Sequence, residues 1–240
     1  MAMTKIKCIH CESEEVVKNG KRATGIQSLK CKNCGRCFQK SYLNNGAKPE
    51  TKRMIISMSV NGSGIRDISR VLKISKDTVM KTLKKTEKKL TNVNPKYVNL
   101  EKPLNIRLEM DEMWGRVNSK KTSSWLWHAI NHDNGDVVAY VIGFRHHDML
   151  WQLTDLIYSL NLNITAVYSD DNFAYHDVIP SHTLHTGKIN TQKIERKHLS
   201  FRTRLKRLAR KTICFSKSLS MHNILLGLLI NVTEFNCHFF

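Results

Sequence analysis

Two cysteine pairs near the N-terminus constrain the fold more than any other feature of the sequence. Each pair has the spacing Cys-x-x-Cys, and nineteen residues separate Cys11 of the first pair from Cys31 of the second. This spacing is typical of a site in which four thiolates bind one zinc ion, with Cys8 and Cys34 as the other two ligands. The sequence therefore predicts a zinc ribbon, which we assign to residues 1–44.

Zinc would supply much of the folding free energy of this ribbon, because a segment of this size buries too little apolar surface to be stable by itself. Between the cysteine pairs, the sequence predicts a strand and turn at residues 16–21 and an extended segment at 25–30. Cys37 follows three residues after Cys34. Its offset leads away from the second pair, so we interpret Cys37 as an additional thiol and not as a zinc ligand.

A helical pattern begins at Pro49 and predicts a helix-turn-helix domain over residues 45–92. Three short amphipathic helices are expected, and Ser75 is a typical N-cap for the third. The N-terminal part of that helix would enter the major groove, and its later lysines would meet phosphates. The DNA-binding residues predicted on this helix are Lys76, Asp77, Thr78, Lys81, Lys84 and Lys85. The alternative is a three-helix bundle with a solvated basic face.

The net charge of +19 is distributed unevenly along the chain. Lys and Arg outnumber Asp and Glu by 22 to 7 in residues 1–100 and by 11 to 2 in residues 178–240, whereas acids prevail by 11 to 6 in between. Such segregation favours binding to nucleic acid over binding to membranes. The N-terminus lacks an apolar signal segment, and the apolar run at 224–232 is too short to span a bilayer. We therefore expect a cytoplasmic protein without membrane contact.

After a predicted linker at residues 93–103, the sequence predicts a mixed α/β domain over residues 104–240. Three strands joined by short connections come first, then a helix, further strands and two C-terminal helices, an order that is typical of a ribonuclease-H-like sheet. The predicted strands are 104–110, 124–131, 137–144, 164–168 and 182–185, and the predicted helices are 148–160, 191–210 and 216–232.

Glu195 is the only acidic residue between Asp177 and Glu234, and many Lys and Arg residues surround it. A lone carboxylate weakens phosphate binding unless a divalent cation lies between the two, so it indicates a metal site. Acidic residues at the ends of two predicted strands, in residues 109–112 and 170–171, would join Glu195 to hold two Mg²⁺ ions roughly 4 Å apart.

Alternatives to these ligands remain open within the sequence. Glu109 shares a strand face with Asp111, and Asp171 adjoins Asp170, so either is an alternative ligand. The histidines show no spacing that is typical of a metal site. His198 is of interest because the same predicted helix carries Glu195.

Four motifs lie at residues 109–115, 169–175, 191–196 and 215–222. Together with the cysteine pairs and the helix-turn-helix, they resemble those of the transposases of the insertion sequence 1 family. In that family the N-terminal modules bind terminal inverted repeats. The resemblance places the catalytic DDE triad on Asp111, Asp170 and Glu195 and the basic partner that contacts phosphate on Arg202. Neighbouring DNA contacts would come from Arg196 and Lys197.

The resemblance implies a prokaryotic, nucleoid-associated enzyme that nicks DNA at element ends and joins the exposed 3′ hydroxyl to target DNA. It would use Mg²⁺ (or Mn²⁺), bind double-stranded DNA, and act as a homodimer or larger assembly. The family commonly joins two reading frames by frameshifting, whereas this sequence is one continuous chain. Two other hypotheses are a zinc-ribbon and helix-turn-helix regulator without catalysis, and a host ribonuclease-H-like nuclease without preference for element ends.

Overall fold

The computed structural model describes residues 6–39, 41–118, 123–209 and 213–239. The N-terminal unit is a three-stranded antiparallel sheet in the order β1-β2-β3. Its strands are β1 (Val16–Lys21), β2 (Gln27–Cys31) and β3 (Cys37–Gln39). Leu29 and Phe38 pack with two of the cysteines in a small buried cluster. The sequence did not predict β3, which is only three residues long.

Three helices follow as the helical pattern predicts: α1 (Pro49–Val60), α2 (Ile65–Leu72) and α3 (Lys76–Glu87). Ser75 caps α3, since its side chain accepts a hydrogen bond from the backbone N–H of Thr78 at 3.1 Å. Between α2 and α3 the chain turns at Lys73, which has a left-handed φ of 51°. The short turn lets the apolar faces of all three helices meet.

The second half is built on a five-stranded mixed sheet in the order β6-β5-β4-β7-β8. The strands are β4 (Leu104–Arg116), β5 (Ser123–Asn131), β6 (Val137–Gly143), β7 (Leu162–Ser169) and β8 (Leu184–Thr186). β4, β5 and β6 form an antiparallel meander, while β7 pairs with β4 in parallel and β8 pairs with β7 in parallel. The predicted mixed α/β organisation is confirmed.

Four helices accompany this sheet: α4 (His147–Tyr158), α5 (Phe173–Val178), α6 (Gln192–Arg204) and α7 (Leu219–Thr233). One buried cluster joins α4 and α5 to the sheet, and a second joins α6 and α7 to it. The second cluster also contains Ile55 and Leu83 of the helix-turn-helix. The three N-terminal helices and α7 therefore share one hydrophobic core.

The helix predicted at 191–210 is shorter in the structure. α6 ends at Arg204, and a short 3-10 helix, Lys206–Leu208, follows. Leu205 leaves the helix in an extended conformation and is buried together with Leu208. Burial of these two side chains explains why the helix stops early; residues 210–212 lie outside the described part of the chain.

The segment at 93–103, expected to be a linker, is partly packed against the sheet. Asn94 donates from its backbone N–H to Val138 and from its side chain to Val137, both at 2.9 Å. Tyr97 lies in a short 3-10 helix, Pro95–Tyr97, and is buried. These contacts join the connection to β6 and orient the chain as it enters β4.

The sequence predicted that Asp111 stands at the end of a strand, and this prediction is wrong. β4 continues to Arg116 because β5 pairs with it from Leu108 to Arg116, which lies opposite Ser123. The parallel neighbour β7 ends at Ser169. Asp111 therefore lies in the middle of β4, at the level where the adjacent strand stops.

Within the described ranges, no helix has the length and apolar character that crossing a bilayer would need.

Candidate active site and metal centres

The parallel pairing of β4 and β7 brings Asp111 and Asp170 next to each other. Glu109 is paired with Tyr168 in this register, and β7 ends one residue later at Ser169. The same register continued by two residues places Asp170 beside Asp111, at the spacing of about 5 Å between neighbouring strands. Asp111 on β4 and Asp170 directly after β7 therefore lie at the same level of two neighbouring chain segments.

Glu109 attaches helix α6 to this part of the sheet. Its Oε2 accepts a hydrogen bond from the backbone N–H of Ile194 at 2.9 Å, and its Oε1 lies 2.8 Å from Nδ1 of His132. The Glu109 side chain is only 1% exposed. Because both oxygens are engaged, Glu109 has a structural role and is not available as the alternative metal ligand that the sequence left open.

The third carboxylate, Glu195, is the residue after Ile194 in the first turn of α6. His198 lies three residues further along the same helix, so its side chain neighbours that of Glu195. The Nδ1 atom of His198 is 3.6 Å from Oδ2 of Asp111. This contact places the face of α6 that carries Glu195 towards the two aspartates.

The carboxylates act on one another electrostatically. The pKa of Asp111 is raised to about 7: burial is the largest cause, the negative charges of Glu112, Asp170 and Glu195 add to the rise, and the backbone N–H of Glu112 acts against it. That N–H donates to Oδ1 of Asp111 at 2.7 Å. Crowded negative charge of this kind is relieved when a cation binds.

The donor set suits divalent cations, since carboxylate oxygens are the ligands that Mg²⁺ and Mn²⁺ prefer. The oxygens of the three carboxylates do not all lie within 4.8 Å of one another; among the described residues, only a group of cysteines meets that limit. The fit to a divalent cation therefore rests on the chemistry of the donors and on their mutual repulsion, which a cation would relieve.

Glu112 forms a second buried cluster, on the face of β4 opposite Asp111. Its Oε1 accepts hydrogen bonds from Arg145 Nη2 at 2.8 Å and Asn172 Nδ2 at 3.2 Å, and its Oε2 accepts one from the Tyr175 hydroxyl at 3.2 Å. The backbone N–H of Asn172 in turn donates to Oδ1 of Asp170 at 3.3 Å. Glu112 thereby connects β4 to the loop that carries Asp170.

Sequence reasoning missed the function of this cluster, although a signal was present. Arg145 is the only Lys or Arg between Lys121 and Lys188. An isolated cation in an acidic segment is a candidate partner for a buried carboxylate. The guanidinium also stacks on Trp125, 4.8 Å from the centre of the ring, which fixes its orientation.

Comparison with known sequences decides the family. The profile of the IS1 transposase family matches residues 105–236, which contain all three carboxylates. The chain belongs to the IS1 transposase family. The C-terminal domain of InsA, the helix-turn-helix of the same elements, matches residues 42–87.

Individual relatives agree with this assignment. The InsB protein of insertion element iso-IS1n from Shigella dysenteriae is 44% identical over 122 residues, which are 51% of this chain and 92% of that protein. The iso-IS1N InsA protein of the same organism is 40% identical over 84 residues, 35% of this chain and 93% of that protein. InsB of IS1 from Shigella flexneri is 34% identical over 128 residues, which are 53% of this chain and 95% of that protein. This IS1-family chain is a DNA transposase with a DNA-binding helix-turn-helix.

Other predicted residues of the transposase have different surroundings. Asp171 is 83% exposed and lies 3.1 Å from Nε2 of His176, so it points to solvent and not to Asp111. Arg196 is exposed on α6, and Arg202 is partly buried on the same helix, two turns after Glu195.

Lys197 requires a correction. Its Nζ lies 2.8 Å from Oε2 of Glu234, and both side chains are mostly buried. This ion pair connects α6 to the end of α7. We therefore withdraw Lys197 as a DNA contact, since binding a phosphate would leave Glu234 without its cation.

The ribbon of the transposase brings its four cysteines together as predicted. The sulfur atoms of Cys8 and Cys34 are 3.7 Å apart, those of Cys11 and Cys31 are 3.6 Å apart, and all four lie within 4.8 Å of one another. A tetrahedral zinc ion with Zn–S bonds of about 2.3 Å separates its sulfurs by about 3.8 Å. The cluster is therefore compatible with a zinc site. Cys37 is exposed and lies outside this cluster, as predicted.

Helix α3 presents most of its predicted DNA contacts to solvent. The exposed residues are Lys76, Asp77, Lys81, Lys84 and Lys85. Thr78 differs, because it is partly buried and its hydroxyl lies 2.9 Å from the capping hydroxyl of Ser75. The opposite face of α3 is buried against the shared core through residues that include Val79 and Leu83.

Proposed function

We propose that this transposase binds the terminal inverted repeats of its insertion sequence and cuts and joins DNA strands at Asp111, Asp170 and Glu195. The observation that carries this proposal is that Asp111 lies on β4 and Asp170 directly follows β7, its parallel neighbour. The raised pKa of Asp111 supports it: burial is the largest cause, and the charges of Asp170 and Glu195 add to the rise. The catalytic domain is of the ribonuclease-H-like kind, for which the strand order is the support.

The three carboxylates would hold two Mg²⁺ or Mn²⁺ ions. When bound, such ions activate the attacking oxygen and neutralise charge on the leaving oxygen of an in-line phosphoryl transfer. The chain itself supplies the position of the ligands. Glu109 holds α6 on β4, and Glu112 holds the loop of Asp170 on the same strand.

The DNA chemistry consists of two displacements at phosphorus. In the first, water forms a bond to phosphorus, and the bond to the 3′ oxygen of the element end breaks, which leaves a 3′ hydroxyl. In the second, that hydroxyl loses its proton and attacks a target phosphate, and the target's own 3′ oxygen leaves. Arg202 would contact a phosphate, since it lies two helical turns from Glu195 on α6, and Arg196 would contact the DNA backbone nearby.

End recognition is assigned to the N-terminal modules. Lys76, Asp77 and Lys81 of α3 would face base edges in the major groove, with Thr78 as a further contact, while Lys84 and Lys85 would bind phosphates. Zinc at the four cysteines would stabilise the ribbon. Pairing two element ends would require a homodimer or larger assembly, acting on DNA in the cytoplasm at the nucleoid.

The test is an assay of nicking and strand joining, with Mg²⁺, on DNA that carries the inverted repeats. Asp170→Asn should reduce both steps by roughly 100-fold or more, because it removes a ligand charge from the metal site. Asp171→Asn is the matched control, since it removes the same charge one residue away on a side chain that points to solvent. Equal activity of the two variants would exclude Asp170 from the triad.

Glu195→Gln tests the third carboxylate and separates the rival functions. Loss of joining with unchanged end binding supports the transposase mechanism. Tight end binding without cleavage by the native chain would favour a regulator that has no catalytic activity. Cleavage that ignores the inverted repeats would favour a nuclease that acts on DNA in general.

A further inference from the structure

The two oxygens of Asp111 have different surroundings. Oδ1 accepts the backbone N–H of Glu112 at 2.7 Å. Oδ2 has Nδ1 of the His198 imidazole 3.6 Å away. Any cation that binds Asp111 through Oδ2 therefore has an imidazole nitrogen close to it.

The separation of 3.6 Å between Oδ2 and Nδ1 is informative. It exceeds the range of about 2.7–3.2 Å in which an N–H group and an oxygen form a hydrogen bond. Two ligands with bonds of about 2.1 Å to one ion are about 3.0 Å apart when they are at right angles and about 4.2 Å apart when they are opposite. The observed distance lies between these values, so both atoms can bind the same ion.

A second histidine, His128, packs against the ring of His198. His128 lies directly opposite Asp111 in the pairing of β5 with β4, and its ring centre is 4.9 Å from that of His198. The His128 side chain is fully buried, and neither of its ring nitrogens has a hydrogen-bond partner among the described residues. Burial keeps its pKa well below the usual value, so the ring is neutral and packs without adding a charge.

We propose that His198, through Nδ1, is a ligand of the divalent ion that Asp111 binds, and that this site therefore prefers Mn²⁺ to Mg²⁺. The inference rests on the proposed catalytic metal site and adds a nitrogen ligand to it. Mg²⁺ binds mainly oxygen, whereas Mn²⁺ belongs to the transition-metal series, whose ions accept imidazole nitrogen more readily. Glu195 lies three residues earlier on the same helix.

The experiment uses the full chain with MnCl₂ and needs no turnover. Electron paramagnetic resonance counts bound Mn²⁺, and electron spin-echo modulation detects nitrogen from a coordinated imidazole. The native chain should show this ¹⁴N modulation, and His198→Asn should abolish it. His185→Asn is the matched control, because His185 is an exposed histidine on β8 of the same sheet. The ¹⁴N modulation of this variant should equal that of the native chain.

Affinity gives an independent readout. His198→Asn should weaken Mn²⁺ binding by at least about tenfold and weaken Mg²⁺ binding less. His198→Ala serves as a second variant, and circular dichroism establishes that each variant is folded. Mn²⁺ binding without ¹⁴N modulation in the native chain would overturn the role of His198 but leave the carboxylate site in place. Absence of Mn²⁺ binding, or binding that Asp111→Asn does not change, would overturn the metal site as well.

Discussion

Oε2 of Glu109 accepts a hydrogen bond from the backbone N–H of Ile194 at 2.9 Å, and this bond joins the central strand of the sheet to the first turn of the helix that carries Glu195. The first N–H groups of a helix have no partner within it, so a carboxylate here satisfies one of them and interacts favourably with the helix dipole. A buried residue of the sheet thus determines where a predicted catalytic residue lies.

Glu109→Ala should lower the free energy of unfolding by about 2–3 kcal/mol, because it leaves a buried N–H group without an acceptor. The same variant should lose strand joining under conditions in which it remains folded. Urea denaturation and the joining assay measure the two effects. Glu109→Gln is the matched variant, since it keeps an acceptor oxygen and should recover most of the stability. If Glu109→Ala were as stable as the native chain, Glu109 would not be what holds α6 on the sheet.

Arg145→Ala should reduce stability and catalysis together. It removes two hydrogen bonds to the buried carboxylate of Glu112, whose side chain is 3% exposed, at an expected cost of about 2 kcal/mol. Arg145→Lys keeps the charge but not the paired N–H donors, so its stability should lie between that of the native chain and that of Arg145→Ala. Thermal melting in parallel with nicking rates would check this order, and a Lys variant less stable than the Ala variant would contradict it.

The lowered pKa of His222 predicts a loss of stability at acidic pH. Burial and the nearby charge of Arg207 lower its pKa to about 4, from 6.5 in the unfolded chain. Because the folded state disfavours the protonated ring, the contribution of His222 is present above pH 6.5 and is lost as the pH falls towards 4. The predicted loss is roughly 3 kcal/mol.

This dependence is measured by denaturant unfolding at several pH values. His222→Asn should make the curve less steep between pH 6.5 and 4, because position 222 no longer titrates in the variant. The hydroxyl of Ser216, 2.8 Å from Nδ1 of His222, would lose its partner in that variant, so the overall stability should also fall. A native curve that is level across this range would disprove the prediction.

Zinc removal should affect DNA binding more than the fold of the catalytic domain. A chelator, or Cys31→Ser, should release one zinc ion per chain, unfold the ribbon and weaken binding to the inverted repeats. Cys37→Ser is the matched control, because Cys37 lies outside the four-cysteine cluster and should leave zinc content unchanged. Zinc content by metal analysis and end binding by fluorescence anisotropy distinguish these results.

Much of the N-terminal half could be predicted from the sequence because its determinants are local. Each cysteine pair lies on one short turn, and α1 and α2 begin and end where the apolar pattern and Pro49 indicate. In the second half the order of strands and helices along the chain was also predictable. Asp111, Asp170 and Glu195 were selected by their residue types and by the family resemblance.

The remaining features depend on contacts that join distant parts of the chain. The length of β4 follows from its pairing with β5, and the burial of Tyr97 follows from β6, neither of which local periodicity reveals. Lys197 was predicted to bind DNA from the family resemblance, but Glu234, the residue directly after α7, forms an ion pair with it.

The sequence by itself determined which four cysteines cluster and where the helix-turn-helix lies, because these depend on residue type and short spacing, and together with the family resemblance it selected the three carboxylates proposed for catalysis. Only the tertiary structure decided which neighbouring acids have structural roles, with Glu109 bound to α6 and Glu112 bound to Arg145. It also brought His198 to Asp111. The physical reason is that side-chain partners across a sheet are set by strand register and helix packing, which join residues far apart in the chain.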